Sequence, residues 1–458
     1  MVTIPEVAAA LRSVLTEVAD VVASETGCQR RASKLGGAGF VRALVFGWLG
    51  DPGATLERLA QTAAALGTPV TPQALDQRFT AEAAACLEGV LADAVGTLVA
   101  AEPAAVPLLR RFSGVYVQDS STLRLPDALA ELWAGCGGRT AGAGPAALKL
   151  EVRLELGGGA LDGPYLAAGR VQDKACARRH RPLPPGALRL ADLGYFSLGE
   201  LRALDAAEVY WLSRYKAGTA TFDAGGRRQE LARLLRAQGG ATADLPITLG
   251  AAQRLPCRLL AARVPPEVAA ARRRKLKAEA KREGQTPSRE RLALCDWTVL
   301  VTNAPAALLS VDEALVLGRA RWQIELLFKL WKQHGQLDTS RSAKPWRVLC
   351  EVYAKLIALV VQHWRLLLGC WEYPDRSLPK AARTVRTHAT ALAGAFGRPA
   401  LLRATLVTLA RCLAAAGRVG KRRAAPATFQ LLLAGTARQA LELSPGPTFA
   451  SAEDARAA

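Results

Sequence analysis

No Cys-x-x-Cys pair occurs in this chain, and its nine cysteines are scattered at 28, 86, 136, 176, 257, 295, 350, 370 and 412. The odd count and the spacing argue against a zinc module and a disulfide framework, and fit reduced thiols in a cytoplasmic protein. Histidine is scarce too. His180, His334, His363 and His388 show no ligand spacing and read as structural, with no histidine base implied. Met-Val-Thr-Ile-Pro-Glu at the N-terminus has no basic region ahead of an apolar stretch, so no signal peptide is expected. Long apolar runs are also missing. The most apolar segment, Leu356 to Leu368, contains His363 and Arg365 and is too short to cross a bilayer, so it reads as a buried helix.

Negative charge is in short supply. Forty acidic residues against sixty basic ones give a formal net charge of +20 and a pI near 10.0, a balance that favours a polyanion such as DNA. The arginine bias of a GC-rich genome would raise the same number without any function. An apolar content of 50% and a mean hydropathy of +0.11 exclude a disordered chain. The 458 residues suffice for about two to four structural units, each with a real core.

Against this background a few carboxylates stand out. On a helix turning about 100° per residue, Arg321, Glu325, Lys329 and Lys332 fall within roughly 80° of one another, a stripe of one acid among three cations. Such a stripe can be a solvated face of i,i+4 ion pairs. Two aspartates upstream give it more meaning. Gly114-Val-Tyr-Val-Gln-Asp119 and Ala187-Leu-Arg-Leu-Ala-Asp192 are strand-like runs that end at an Asp and are broken by small or polar residues. A lone strand-end Asp is usually a turn former. Two of them with Glu325 would make an all-oxygen cage suited to two Mg²⁺ ions, with Mn²⁺ able to substitute, rather than to zinc.

The words Gln118-Asp119-Ser120-Ser121, Asp192-Leu193-Gly194-Tyr195-Phe196-Ser197 and Arg321-Trp-Gln-Ile-Glu325-Leu-Leu-Phe-Lys329-Leu-Trp-Lys332 together resemble insertion-sequence transposases of the DDE type. The last word is similar to the Tyr-x2-Arg-x3-Glu-x6-Lys signature of one cut-and-paste branch: Arg321, Glu325 and Lys332 are in register, and the Tyr position holds Gly318. The resemblance is best from about 110 to 365. It implies an α/β fold with a ribonuclease-H-like catalytic core, a β-rich insertion, and helical regions at both ends.

The expected organisation follows. Residues 1–105 form a helical DNA-binding region, 106–218 the first part of the core, and 219–295 the insertion. Residues 296–345 return to the core with the catalytic helix, and 346–458 form a helical C-terminal region that the resemblance implicates in pairing two protomers. In the first region, a helix ended by Gly67, a short turn, Thr71 as N-cap and Pro72 outline a helix-turn-helix that would offer Gln73, Gln77 and Arg78 to a groove. An ordinary αα-hairpin fits equally. In the core, strands are expected at 115–118, 148–156, 188–191 and 208–213, with a Gly-rich loop at 134–145. Arg214 and Lys216, just past the last of these strands, can meet phosphate or simply be solvated. In the insertion, the helix 267–283 carries seven cations including Arg272 to Lys275, either a solvated face or a phosphate-tracking helix. Ser310-Val-Asp-Glu313 is a capping box that starts the catalytic helix.

The resemblance also implies DNA hairpin intermediates, in which Trp297 stacks an extruded base and Trp322 fills the vacated space; in a strand or helix, either is ordinarily core. The implied partners are double-stranded DNA, as terminal inverted repeats and as target, and a second copy of the chain in the DNA complex. The implied setting is the bacterial cytoplasm at the nucleoid, with no membrane. A ribonuclease-H-like nuclease outside transposition and a catalytically silent repressor descended from a transposase are the rival readings; Gly318 is the hint for the latter.

Overall fold

The computed structural model describes residues 3–31, 34–136, 145–173, 175, 180–420 and 426–435. Cys176, most of the Gly-rich loop and the C-terminal end lie outside the described residues.

Ten strands form one mixed sheet in the order β3-β2-β1-β4-β5-β10-β9-β8-β6-β7. They are β1 (Val115–Arg124), β2 (Ala147–Glu155), β3 (Leu161–Ala168), β4 (Leu188–Ala191), β5 (Tyr210–Arg214), β6 (Thr221–Phe222), β7 (Arg228–Gln229), β8 (Thr242–Leu249), β9 (Leu255–Arg263) and β10 (Trp297–Thr302). The chain divides into two compact units. One holds Met1–Ala105, Gln118–Pro182 and Gln323–Val419; the other holds Val106–Val117, Leu183–Trp322 and Gly420–Ala458.

The first unit begins with helices α1 (Ile4–Arg12), α2 (Ala19–Glu25), α3 (Gly37–Gly50), α4 (Leu56–Ala65), α5 (Pro72–Asp76) and α6 (Ala81–Gly96). A longer helix, Pro345–Leu367, packs against α3 and α6 and is buried from Val348 to Leu367, as its apolar sequence leads one to expect. The later helix Pro399–Ala416 is long and apolar enough by length and composition to cross a membrane, a feature not expected from the sequence. Its Leu402, Leu406, Leu409 and Leu413 are buried on one stripe, while Arg403, Thr408 and Arg411 are exposed. That periodicity marks an amphipathic packing helix.

Strand β2 alternates apolar and charged residues, which reads as one buried face and one wet face. In the structure both faces are buried from Ala147 to Leu154. The charged side is covered because its residues find partners. Gln118 donates to Glu151 at 2.8 Å, His180 contacts Glu151 at 3.5 Å and Asp162 at 3.0 Å, and Arg153 and Tyr165 reach Asp162 at 2.6 and 2.7 Å. Burial pushes the Asp162 carboxyl up, but His180, Tyr165 and Arg153 more than offset this and hold it at about 2.

In the second unit, β4 and β5 are parallel, and β5, β10, β9 and β8 pair antiparallel in turn. The strands β6 to β9 from 219–295 therefore continue the sheet beyond β10. Its core includes Trp211, Leu235, Leu249, Leu259, Trp297 and Val301.

Arg365 is the least compensated charge in the first unit. It is fully buried, its guanidinium nitrogens have no hydrogen-bond partner among the described residues, and only the Phe46 ring stands over it, at 5.6 Å. Burial draws its pKa down to about 9, so the cation persists at neutral pH. An isolated buried charge costs more than a cation–π contact returns. Arg365→Met should therefore raise unfolding stability by about 1–3 kcal/mol in urea titrations; a loss of stability would show that the charge has a compensating partner.

Candidate active site

Asp119 lies within β1, not at its end. The expected strand stops at Gln118, but Ser120, Ser121 and Thr122 keep an extended backbone through to Arg124. Hydroxylated residues of this kind are compatible with a strand when their side chains find partners. Ser120 does: its hydroxyl donates to Asp173 at 2.9 Å, and Asp173 also accepts from Lys149 at 2.8 Å. The half-buried Asp119 carboxylate accepts the Ser120 N–H at 2.9 Å.

Glu325 is half-buried on the helix Trp322–Lys329. A capping box between Ser310 and Glu313 starts the preceding helix, Val311–Ala320, and Arg111 bonds to Glu313 at 2.7 Å. Past Lys329 the backbone widens into a π-helical turn, Leu330–His334, so Lys332 leaves the 100° progression assumed for the stripe. Its ammonium donates to the Thr122 carbonyl of β1 at 3.1 Å, tying the end of the Glu325 helix to the strand that bears Asp119. Burial lowers the Lys332 pKa, and Asp338 opposes this. Lys329 is exposed.

The second unit holds Asp192, Arg214, Lys216, Trp297, Arg321 and Trp322. Strand β4 ends at Ala191, as expected, and the half-buried Asp192 precedes a 3-10 turn, Leu193–Tyr195. Leu188 of β4 donates to the Gly114 carbonyl at 2.9 Å. Arg214 is the last residue of β5. Burial lowers its pKa, Asp192 raises it, and Arg272 and Arg321 lower it again. Asp192 and two other guanidinium ions, those of Arg272 and the buried Arg321, thus act on Arg214.

Arg272 is the residue that the sequence reading missed as an individual. Its helix, Pro266–Arg282, buries Val268, Ala269 and Ala280, and Arg272 lies on that face by helical spacing. It donates to the Trp297 carbonyl at 2.9 Å and to the Thr298 hydroxyl at 3.1 Å. Arg273 is also engaged, with Asp296, whereas Arg274, Lys277, Lys281 and Arg282 are exposed. The apolar period, and not the charge run, carried this information.

Two of the residues offered to DNA, Trp297 and Arg78, are turned inward. Trp297 is 5% exposed, sits in the core cluster and has the Arg263 guanidinium 5.0 Å from its ring, so it offers no free face to a base. Trp322 is half-buried. In the N-terminal region Thr71 caps α5 as expected, but α5 is only five residues long, and Gln77 and Arg78 lie beyond it. Arg78 is turned inward, donating to the carbonyls of Leu35 at 2.6 Å and Cys28 at 3.5 Å, over the Phe40 ring. Gln73 and Gln77 are exposed, Lys216 likewise. The short helix is anchored from its other side, where Asp76 pairs with Lys344 at 2.7 Å and Arg347 at 3.2 Å.

Among the described residues no three His, Cys, Asp or Glu side chains stand together closely enough to hold a metal ion. The oxygen donors of Asp119, Asp192 and Glu325 are of the kind that suits a hard divalent ion.

A sequence model described as "Transposase DDE domain" matches residues 110–361. The transposase for insertion sequence element IS231F of Bacillus thuringiensis subsp. israelensis is 28% identical over 316 residues, covering 65% of this chain and 66% of that protein. The transposase for IS231B of Bacillus thuringiensis subsp. berliner is 26% identical over 363 residues, covering 74% and 75%. The transposase for IS1151 of Clostridium perfringens is 24% identical over 269 residues, covering 55% and 56%. The chain thus spans just under two thirds of the first relative's length.

The inward bonds of Arg78 predict a structural role. Arg78→Ala should lower unfolding stability by about 1–3 kcal/mol, and Gln73→Ala and Gln77→Ala should change it by less than about 0.5 kcal/mol in denaturant titrations. Equal effects at all three positions would refute the distinction.

Proposed function

We propose, from the premise that the chain belongs to the transposase DDE-domain family, that it frees the ends of an insertion sequence and joins them to target DNA by phosphoryl transfer. The observation that carries this reading is the family match over 110–361, which contains Asp119, Asp192 and Glu325, all at half-buried positions. The position of Asp119 on β1 and of Asp192 just after β4, the next strand in the mixed sheet, supports a ribonuclease-H-like core.

The family uses divalent metal ions, and we assign Asp119, Asp192 and Glu325 as the carboxylates that would hold two Mg²⁺ ions, or Mn²⁺ in their place. When bound, such ions would activate the attacking oxygen and neutralise charge on the phosphorus. The chain's own cations do the rest. Arg214, Arg321 and Lys332 supply fixed positive charge where negative charge accumulates on the phosphoryl oxygens, and Lys329 and Lys216 hold the flanking backbone. Water attacks the phosphodiester at the element end and frees a 3′-hydroxyl. That hydroxyl attacks the opposite strand to give a hairpin, is released when the hairpin reopens, and then attacks target DNA. The half-buried Trp322 is the aromatic that supports the strained end; Trp297 would first have to be uncovered.

Residues 1–105 are assigned to terminal-repeat binding through Gln73 and Gln77, without Arg78. The insertion 219–295 is assigned to backbone contact, and the helices of 346–458 to pairing two protomers on DNA at the nucleoid.

Incubating the protein with a labelled element end and Mg²⁺ tests the reading. The wild-type chain should give hairpin and strand-transfer products, and Asp119→Asn should lower cleavage by at least about a thousandfold while binding the same duplex. Cleavage that survives in Asp119→Asn would sink the assignment; indiscriminate hydrolysis by the wild type would point to a nuclease instead.

A further inference from the structure

Beyond the residues assigned above, the first unit gathers cations at the far end of the Glu325 helix. His334 closes the π-helical turn, and its backbone carbonyl accepts a hydrogen bond from the Arg386 guanidinium. Arg386 lies on the helix Leu378–Thr387, and Arg383 is one turn earlier on the same side of it. Lys329 ends the α-helical part of the Glu325 helix, one turn before the widened segment. Lys329 and Arg383 are exposed, Arg386 and His334 half-buried. Among the described residues neither Lys329 nor Arg383 forms an ion pair, and Asp51 is the one carboxylate that acts on Arg386.

The crowding has an electrostatic signature. The His334 pKa is lowered first by burial and then by Arg386, Arg383 and Lys329. That of Arg386 is lowered by burial and by Arg383. Three permanent cations around one imidazole repel each other, and an external anion would relieve that repulsion beyond what Asp51 does for Arg386. A π-helical turn is itself a costly local feature that tends to persist where a site requires it.

We propose that Lys329, Arg383 and Arg386, grouped around His334, form a patch that binds the phosphodiester backbone of duplex DNA alongside the Glu325 helix. The inference rests on the reading of the chain as a DNA transposase and extends it to two arginines outside the matched stretch 110–361. The backbone is the occupant because the patch offers guanidinium and ammonium groups, the donors that phosphate oxygens accept from. The patch positions DNA and takes no part in bond breaking.

The test measures duplex affinity of the full chain across a range of salt concentrations. Arg383→Gln should weaken binding about equally for unrelated sequences and reduce the slope of log affinity against log salt by about 0.9, the value for one lost phosphate contact. Arg383→Lys should restore most of the slope, and Arg403→Gln, at an exposed position on the helix Pro399–Ala416, should leave it unchanged. If the wild type binds duplex and Arg383→Gln keeps the full slope, the patch is refuted while the transposase reading stands. If the wild type binds no duplex at all, both fall.

Discussion

Positive charge held against positive charge is the constraint under which this chain places its carboxylates. Arg214 ends β5 with Arg272 and Arg321 acting on it and Asp192 as the opposing charge. In a partly desolvated setting each like-charged pair is worth more than it would be in water. Arg272 is fixed in place by the carbonyl of Trp297 and the hydroxyl of Thr298. Positive charge held in place beforehand is the condition for electrostatic stabilisation of a developing phosphoryl charge.

How much of this was legible in the sequence depends on whether the cause was local. Strand β4 and its terminal Asp192, the capping box at Ser310, the Thr71 cap and the buried helix around Leu356 are set by neighbours in the chain, and reading the chain in order found them. The extension of β1 through Ser120 depends on Asp173 and Lys149, which come from distant segments, so the polar run read as a strand break. Arg78 looked available because its acceptors are the carbonyls of Leu35 and Cys28. Trp297 had two readings, and it packs in the core with Trp211 and Leu259.

The polar face of β2 shows the same dependence at larger scale. Lys149, Glu151 and Arg153 alternate with apolar residues and would serve equally well as a wet strand surface. They are buried with partners at hand: Gln118 and His180 at Glu151, Asp173 at Lys149 and Asp162 at Arg153. A buried polar network of this kind specifies register more strictly than apolar packing does, since a one-residue slip would strand several charges at once. Gln118 belongs to that network and Asp119 follows it directly. The strand that carries the aspartate is therefore fixed from its opposite face, independently of whatever the carboxylate binds.

Gly318 is the remaining point on which an active enzyme and a silent DNA-binding descendant differ. A Cβ added there would meet Leu300 side-chain atoms at 3.6 and 3.9 Å, ordinary van der Waals distances. Packing thus does not demand a glycine, and glycine weakens a helix interior by roughly 1 kcal/mol relative to alanine. The helix forms regardless, because its capping box and the buried Ala314, Leu315, Val316 and Leu317 hold it. What the position lacks is a side chain to reach beyond β10, while Arg321 and Glu325 keep their places on the segment that follows. The glycine thus removes a side chain without disturbing the helix that precedes Arg321.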